Sequence, residues 1–355
     1  MDPDLERLST GGAVSPRTSA ARLLRLIAKF SRVRLTVAGD LMADEFIYGQ
    51  IDRVSREAPV LILKYDSTEV VPGGAGNAAN NAASLGARVN LLGAIGPDSA
   101  GDRLLAALGR GVRTSNVLRV KGRVTPVKTR ILAGGVHSAK QQVVRIDRAS
   151  RQPLGDHDRR ALEARLYGAM AKSDALIVSD YGSGLVTPAV VANAGRKLRG
   201  PGRRQPPVLV DSRYALLGFK DMTACTPNES EVEHLFGIRI GDDARVLESA
   251  GRDLLARTAA KAVLITRGSR GMALFERDAA TLHIPIFGSD QIADVTGAGD
   301  TVIATMTLAL ASGATFEEAA RLANYAGGVV VMKRGTATVT AEELRQAVLL
   351  DTNGS

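Results

Sequence analysis

From residue 34 the chain alternates short apolar runs with longer stretches in which apolar residues recur every three or four positions. The first pattern predicts buried strands, the second amphipathic helices. Residues 34–38 form such a run and end at Gly39-Asp40. Short strands are predicted over 60–64 and 69–71, then a helix over 75–85 that stops at Gly86. A strand over 89–94 and a helix over 99–108 follow. Residues 127–132 and 142–146 read as antiparallel strands joined by a Gly-Gly turn. Helices 157–171, 187–198, 229–235 and 243–257 then alternate with strands 175–179, 207–211 and 262–266. Strands 272–276 and 281–285 lead to helices 298–311, 316–331 and 341–349.

Strands alternating with helices in this way imply βαβ units and a mostly parallel sheet. Residues 47–71 and 114–146 break the rhythm. They are β-rich and basic, and predict a small sheet beside the main domain. Apolar Val60, Ile62, Val127 and Ile131 would lie on that sheet. Such a face needs a cover, and a second copy of the chain related by a two-fold axis would supply one. The expected organisation is a tail and short helix over 1–32, one domain over 33–349 and a tail over 350–355. Residues 9–19 are rich in Gly, Ser, Pro and Thr, and residues 20–30 form a basic amphipathic helix expected to lie on the domain surface.

Composition removes several classes. The chain has 355 residues, 45% hydrophobic, enough to bury a core without staples. Its single cysteine, Cys225, allows no internal disulfide and fits a reducing, cytoplasmic setting. No apolar run approaches the ~18 residues of a membrane span. A net charge of +9 raises nucleic acid as a partner. Scattered basic residues, few aromatics and no Trp favour instead a basic surface serving an anionic small substrate. Four scattered histidines give no metal-ligand spacing, and there is no Gly-Lys dipeptide for a P-loop.

Two glycine clusters carry the candidate chemistry. Pro72-Gly-Gly-Ala-Gly-Asn77 opens a helix after a strand. Read as a dinucleotide fingerprint it is weak, because its acidic partner would be Asp98, after a Gly-Pro turn. Asp294-Val-Thr-Gly-Ala-Gly-Asp300 precedes a long apolar helix. Gly297, Ala298 and Gly299 would present unpaired amides at that helix's start, where an anion is favoured. Asp300 has two readings there. It is a first-turn Asp favoured by the dipole, or a general base for a hydroxyl attacking a bound phosphoryl group.

Together the two clusters, about 220 residues apart, resemble the paired signatures of the ribokinase-like (PfkB) sugar kinases. The resemblance spans roughly 34–349. It implies a three-layer α/β fold with a mostly parallel sheet and a small β-lid. It also implies ATP and Mg2+ as cofactors, with a monovalent cation as a further candidate. Asn228-Glu-Ser-Glu231 resembles the family's N-x-x-E motif, which holds magnesium through water, although Asn228 and Glu231 also read as a helix capping box. Thr266-Arg-Gly-Ser-Arg-Gly271 resembles the nucleotide loop, assigning Thr266, Gly268, Ser269 and Gly271. Asn324 and Gly328 match the adenine pocket.

Gly39-Asp-Leu-Met-Ala-Asp44 and Arg53-Val-Ser-Arg-Glu-Ala-Pro-Val60 resemble the opening of the D-glycero-D-manno-heptose 7-phosphate kinases. So do Lys128-Thr-Arg130, Gln141-Gln142, Arg145-Ile-Asp147, Ser179-Asp-Tyr-Gly-Ser-Gly184 and Lys333-Arg-Gly-Thr336. Arg56, Ser183 and Asp211-Ser-Arg213 depart from the pattern, which has Pro, Lys and D-P-K there. The resemblance implies ATP-dependent phosphorylation of the heptose C1 hydroxyl. Asp300 would be the base, and Asp40, Asp44, Gly73, Gly74, Asn77 and Asp180 would line the sugar site. Arg53, Arg56, Lys128, Arg130 and Arg145 would be candidates for the 7-phosphate. The adenylyltransferase often fused to this kinase has an H-x-G-H motif, absent here, so a stand-alone kinase is expected.

Overall fold

The computed structural model describes residues 19–134, 140–149, 153–198, 205–288, 295–333 and 335–353. After helix α1 (Ala20–Ile27) come β1 (Arg34–Gly39), β2 (Leu41–Val54) and β3 (Leu61–Gly74). Helix α2 (Ala75–Ser84), β4 (Arg88–Ile95), α3 (Ser99–Ala106) and β5 (Val112–Arg119) follow. Next are β6 (Val127–Gly134), β7 (Gln141–Arg148), α4 (Asp156–Met170), β8 (Ala175–Asp180), α5 (Pro188–Leu198), β9 (Val208–Ser212) and β10 (Ala224–Cys225). The chain continues through α6 (Glu229–Phe236), α7 (Ala244–Thr258), β11 (Ala262–Thr266), β12 (Met272–Glu276) and β13 (Leu282–Ile284). It closes with α8 (Ala298–Ala311), α9 (Phe316–Val331) and α10 (Ala341–Asn353).

Nine strands form one sheet in the order β13-β12-β11-β10-β9-β8-β1-β4-β5. The run from β11 to β5 is parallel, and β12 and β13 add antiparallel at one edge. Alternating side chains feed two cores. Leu35, Val37, Leu91, Ile177 and Leu264 meet α2, α8 and α9 on one face. Leu92, Val178, Val210, Val263 and Phe275 meet the layer of α4, α5 and α7 on the other. A parallel sheet buried on both faces explains why its strands read as continuous apolar runs. The expected three-layer α/β architecture is therefore present.

Helix α1 is docked, not loose. An isolated eight-residue helix is unstable in water. Burial of Leu23, Leu26 and Ile27, at ~1.5–3 kcal/mol each, supplies what propensity lacks. Arg22 adds an ion pair to Glu318 at 3.0 Å.

The lid is a four-stranded sheet, β3-β2-β6-β7. It corrects the sequence reading in four ways. Residues 114–119 leave the lid and belong to β5, the outer parallel strand of the main sheet beside β4. β2 starts at Leu41, where six consecutive residues are buried and no alternation marks the strand. The predicted 60–64 and 69–71 strands are one strand of 14 residues, β3, paired along β2 with two bulges. Val127 is buried at 2% exposure, so it is not part of the open face. Exposed lid side chains are instead Ile51, Val54, Val60, Leu61, Tyr65, Val143, Val144 and Ile146. The Gly-Gly turn and Asp294 fall partly or wholly outside the described residues.

Candidate active site

A cleft of about 530 Å³ lies beyond the carboxyl ends of the parallel strands, under the base of the lid. From β1 the main sheet grows outward to β4 and β5, then resumes on the other side of β1 with β8, and such a switch point opens a crevice. The two glycine clusters meet there although they are distant in sequence. Gly74, in the left-handed region at φ 56°, caps α2, and Gly297, at φ 79°, caps α8. A Cβ on Gly297 would sit 2.4 Å from Asn77 Nδ2. One on Gly73 would sit 2.3 Å from Asp44 Oδ2.

Asp300 lies in the first turn of α8, 5% exposed. Asn77 Nδ2 donates to its Oδ2 at 2.7 Å. Its Oδ1 is buried and has no partner. Burial, opposed by the Asn77 bond, lifts this carboxyl to about 7, with nearby Asp44 raising it and Lys128 lowering it. The Ala298 amide is taken by Val295 O at 3.2 Å. Among the described residues the Gly299 and Asp300 amides meet no backbone acceptor, as expected for a helix's first turn.

On the lid side, Asp44 and Arg130 form an ion pair at 2.6 Å. Lys128 lies 5.3 Å from the centre of the Tyr181 ring. Burial lowers the Lys128 pKa, partly offset by Asp44. Lys128 and Arg130 alternate with Thr129 and Ile131 along β6, so both face the cleft. Of the other proposed phosphate ligands, Arg145 stands directly across from Arg130 on β7, while Arg53 and Arg56 lie away from the cleft. Arg53 and Arg56 line a separate cleft near the lid tip, with Ser55, Glu57 and Ile62. Arg145 is held by both oxygens of Asp147, at 2.8 and 2.7 Å, on the outer strand β7.

Asp40 and Asp180 sit in the wall behind the cleft. Asp40 accepts from the Tyr181 amide at 2.8 Å, the Ser183 amide at 3.1 Å and the Ser183 hydroxyl. Asp180 accepts from Gly182 N at 2.9 Å and Ser212 Oγ at 2.7 Å. Burial raises the Asp40 pKa.

At the other end, Thr266, Gly268, Gly271, Asn324 and Gly328 border the cleft, while Ser269 is exposed in the turn beside it. Asn324 Nδ2 donates to Pro285 O at 2.9 Å. Gly328 leaves room for Phe287 O, which a Cβ would approach to 2.3 Å. Ile286, Val295 and Val331 make this end apolar, as a flat heteroaromatic ring needs. Asn228 and Glu231 form the reciprocal capping box of α6, at 2.8 and 3.0 Å. One Glu231 oxygen is thereby used, and burial raises the pKa of this carboxyl.

Tyr181, Asp211, Arg213, Thr226 and Thr336 also line the cleft, and the sequence analysis gave none of them a role in the site. Tyr181, Asp211, Arg213 and Thr336 fall inside quoted motifs, so the signal was present but unassigned. Burial, with Glu231 and Asp300 nearby, holds the Asp211 carboxyl well above its usual range.

Thr226 Oγ1 and Thr336 Oγ1, like Asp300 Oδ1, are buried without partners. Three orphaned polar atoms in one cleft, with glycine amides and an apolar end, fit a phosphorylated nucleoside and a polar co-substrate. Among the described residues no group of three His, Cys, Asp or Glu side chains is placed to hold a metal. Asn228 and Glu231, beside the cleft, are oxygen donors of the kind that could reach a magnesium ion through water.

The model of the pfkB family of carbohydrate kinases matches residues 39–343. The chain belongs to this family. Relatives named bifunctional protein HldE are 42% identical over 321 residues in Geobacter metallireducens and 40% over 325 in Caulobacter vibrioides. The matches cover 90% and 91% of this chain but only 64% and 65% of those proteins. Among solved structures, Arabidopsis thaliana ribokinase complexed with ribose and ATP aligns with a TM-score of 0.67 at 20% identity. That alignment covers 89% of this chain and 98% of the ribokinase. Escherichia coli phosphofructokinase-2 in complex with fructose-6-phosphate also gives 0.67, at 19% identity, covering 90% and 99%. These likenesses show the ribokinase-like fold.

Proposed function

We propose that the chain is an ATP-dependent kinase that phosphorylates the C1 hydroxyl of D-glycero-D-manno-heptose 7-phosphate, giving the 1,7-bisphosphate. The product would feed ADP-heptose synthesis for the lipopolysaccharide inner core. The carrying observation is Asp300: a buried carboxyl near neutrality, one oxygen anchored by Asn77 and the other unpartnered. A base poised near the working pH is what proton removal from an attacking hydroxyl requires.

In this reading Asp300 Oδ1 takes the hydroxyl proton. The first-turn amides of α8 face the charge that develops on the transferred phosphoryl group. The Thr266–Gly271 turn, Asn324 and Gly328 seat the nucleotide. Asn228 and Glu231 organise Mg2+ through water, and a monovalent cation is a candidate second ion. When bound, Mg2+ neutralises phosphate charge. Asp44, Gly73, Gly74 and Asn77 hold sugar hydroxyls, while Asp40 and Asp180 shape the wall behind them. Lys128, Arg130 and Arg213 give the sugar end a cationic rim, which supports a phosphorylated acceptor. The identity to the HldE proteins supports heptose as the sugar.

We infer a cytoplasmic homodimer joined through the lid. Val144 and Ile146, 45% and 49% exposed, share a face with Ile131. That face points away from Lys128 and Arg130 and is suited to a second copy. No helix among the described residues is long and apolar enough to cross a membrane.

The deciding experiment is turnover of ATP with a panel of free and phosphorylated sugars. The heptose 7-phosphate should exceed free heptose in kcat/KM by at least about tenfold, since charge-assisted phosphate contacts are strong. Equal values would leave a general sugar kinase.

A further inference from the structure

A second cleft lies at the opposite end of the main sheet, where β1, β4 and β5 begin beside the C-terminal half of α4. At about 790 Å³ it is larger than the catalytic cleft and within the range of small-molecule sites. β1 separates the two clefts, running from Arg34 in this one to Gly39, next to Asp40 in the catalytic wall. Six cations line the second cleft: Arg34, Arg88, Arg110, Arg113, Arg165 and Lys172. No Asp or Glu side chain lines it.

One of the six is neutralised. Arg34 donates to Asp174 Oδ1 at 2.8 Å and to Asp174 Oδ2 at 3.1 Å. Among the described residues, Asp174 is the one carboxylate at ion-pair distance from any of these cations. Arg165 Nη1 reaches a neutral acceptor, Ser115 O, at 3.4 Å. Lys172, just past the end of α4, offsets the dipole of that helix. Arg88 and Arg113 have no such duty, yet strand pairing holds them beside other cations. Arg34 stands across from Arg88 in the β1–β4 register, and Asn90 across from Arg113 in the β4–β5 register. Arg88 and Asn90 are two apart on β4, so these residues share one face of the sheet. Like charges side by side across strands repel.

We propose that this cleft binds a small molecule carrying a linear di- or triphosphate, at a site separate from the catalytic one. A cleft lined by one sign of charge focuses its field and concentrates the opposite ion. The guanidinium fork matches phosphate oxygens in shape as well as charge. A single phosphate, at about −2, would leave most of these cations unmatched. Asn90 and Asn116, bonded to each other at 3.0 Å, add neutral polar groups to the lining. No aromatic side chain lines the cleft, so it offers no stacking platform for the bases of single-stranded nucleic acid.

The test titrates the full chain with inorganic tripolyphosphate in a calorimeter. Two double variants are run beside the wild type: Arg88→Gln with Arg113→Gln, and Arg88→Lys with Arg113→Lys. The wild type should bind tripolyphosphate here in addition to any binding in the catalytic cleft. In the Gln pair that additional binding should weaken at least about tenfold, part of what two charge-assisted contacts supply. The Lys pair should fall between, because the charge stays and the fork is lost. Orthophosphate should bind the wild type at least about tenfold more weakly than tripolyphosphate, having fewer charges to match. The ligand-free Tm of the Gln pair should hold or rise, since both arginines are exposed and a repulsion has gone. Equal tripolyphosphate binding by the wild type and the Gln pair overturns the proposal, and so does orthophosphate binding as tightly as tripolyphosphate. A Tm lowered in both pairs, with binding lost alike, marks structural arginines and also overturns it. A single-stranded oligonucleotide that binds more tightly than tripolyphosphate, and loses that affinity in the Gln pair, would overturn it in favour of a nucleic-acid face.

Discussion

The Asn77 amide donates to Asp300 Oδ2 at 2.7 Å, across 223 residues of sequence. Behind it, Asn81 Nδ2 donates to Asn77 Oδ1 at 3.1 Å and Thr301 Oγ1 donates to Asn81 Oδ1 at 2.7 Å. This network locks α2 against α8. It fixes one carboxylate oxygen of Asp300 and leaves the other to accept a proton.

Asp300→Asn should retain the fold and lose turnover. General-base contributions are ~10²–10⁴-fold, so kcat should fall at least about a hundredfold with KM little changed. Steady-state kinetics check this, and more than about a tenth of wild-type kcat would remove Asp300 as the base.

The same variant should stabilise the ligand-free protein at alkaline pH. The folded-state carboxyl sits at about 7, above its ordinary 3.8. The native state therefore binds the extra proton, and Asp300 erodes stability as pH rises between these values. Thermal unfolding should show the largest Tm gain for Asp300→Asn above pH 7 and none near pH 4. A gain independent of pH would contradict the buried-charge origin.

Activity should run the opposite way with pH, because the base works only when ionised. kcat/KM should fall below pH about 7. Asn77→Ala removes the bond that lowers the Asp300 pKa, so the acidic limb should move to higher pH. A pH–rate profile in which the limb stayed fixed would detach it from Asp300.

Gly297 and Gly299 should respond differently to alanine. At Gly297, φ is 79° and the new Cβ would collide with Asn77, so Gly297→Ala should cost ~1–3 kcal/mol and disturb Asp300. A Cβ on Gly299 meets nothing within 4 Å. Gly299→Ala should gain up to about 1 kcal/mol of helix stability. It should nevertheless raise KM for ATP, by filling the space a phosphate approaches. Denaturant titration and ATP kinetics on both variants separate the two roles.

Light scattering at micromolar concentration should give a mass near twice the monomer's. Val144→Asp with Ile146→Asp should return it to the monomer, since both lie exposed on one lid face. A monomeric wild type would reject the dimer.

Much of this protein was legible in its sequence because the governing physics is local. Apolar runs such as 35–38 and 175–178 specify strands buried on both faces of a parallel sheet. Glycines before α2 and α8 are needed by backbone torsion and close approach, so both clusters stand out without a structure. Asp300 was conspicuous because a carboxylate is unexpected in an anion-binding turn. What tertiary structure alone decided was the partner of each segment and the reach of each cation. Residues 114–119 read as lid because an edge strand of the main sheet is half-exposed, as lid strands are. Arg53, Arg56, Lys128 and Arg130 all look alike on basic strands. Only the pairing of β2 with β3 and β6 carries the first two toward the lid tip and the last two into the cleft.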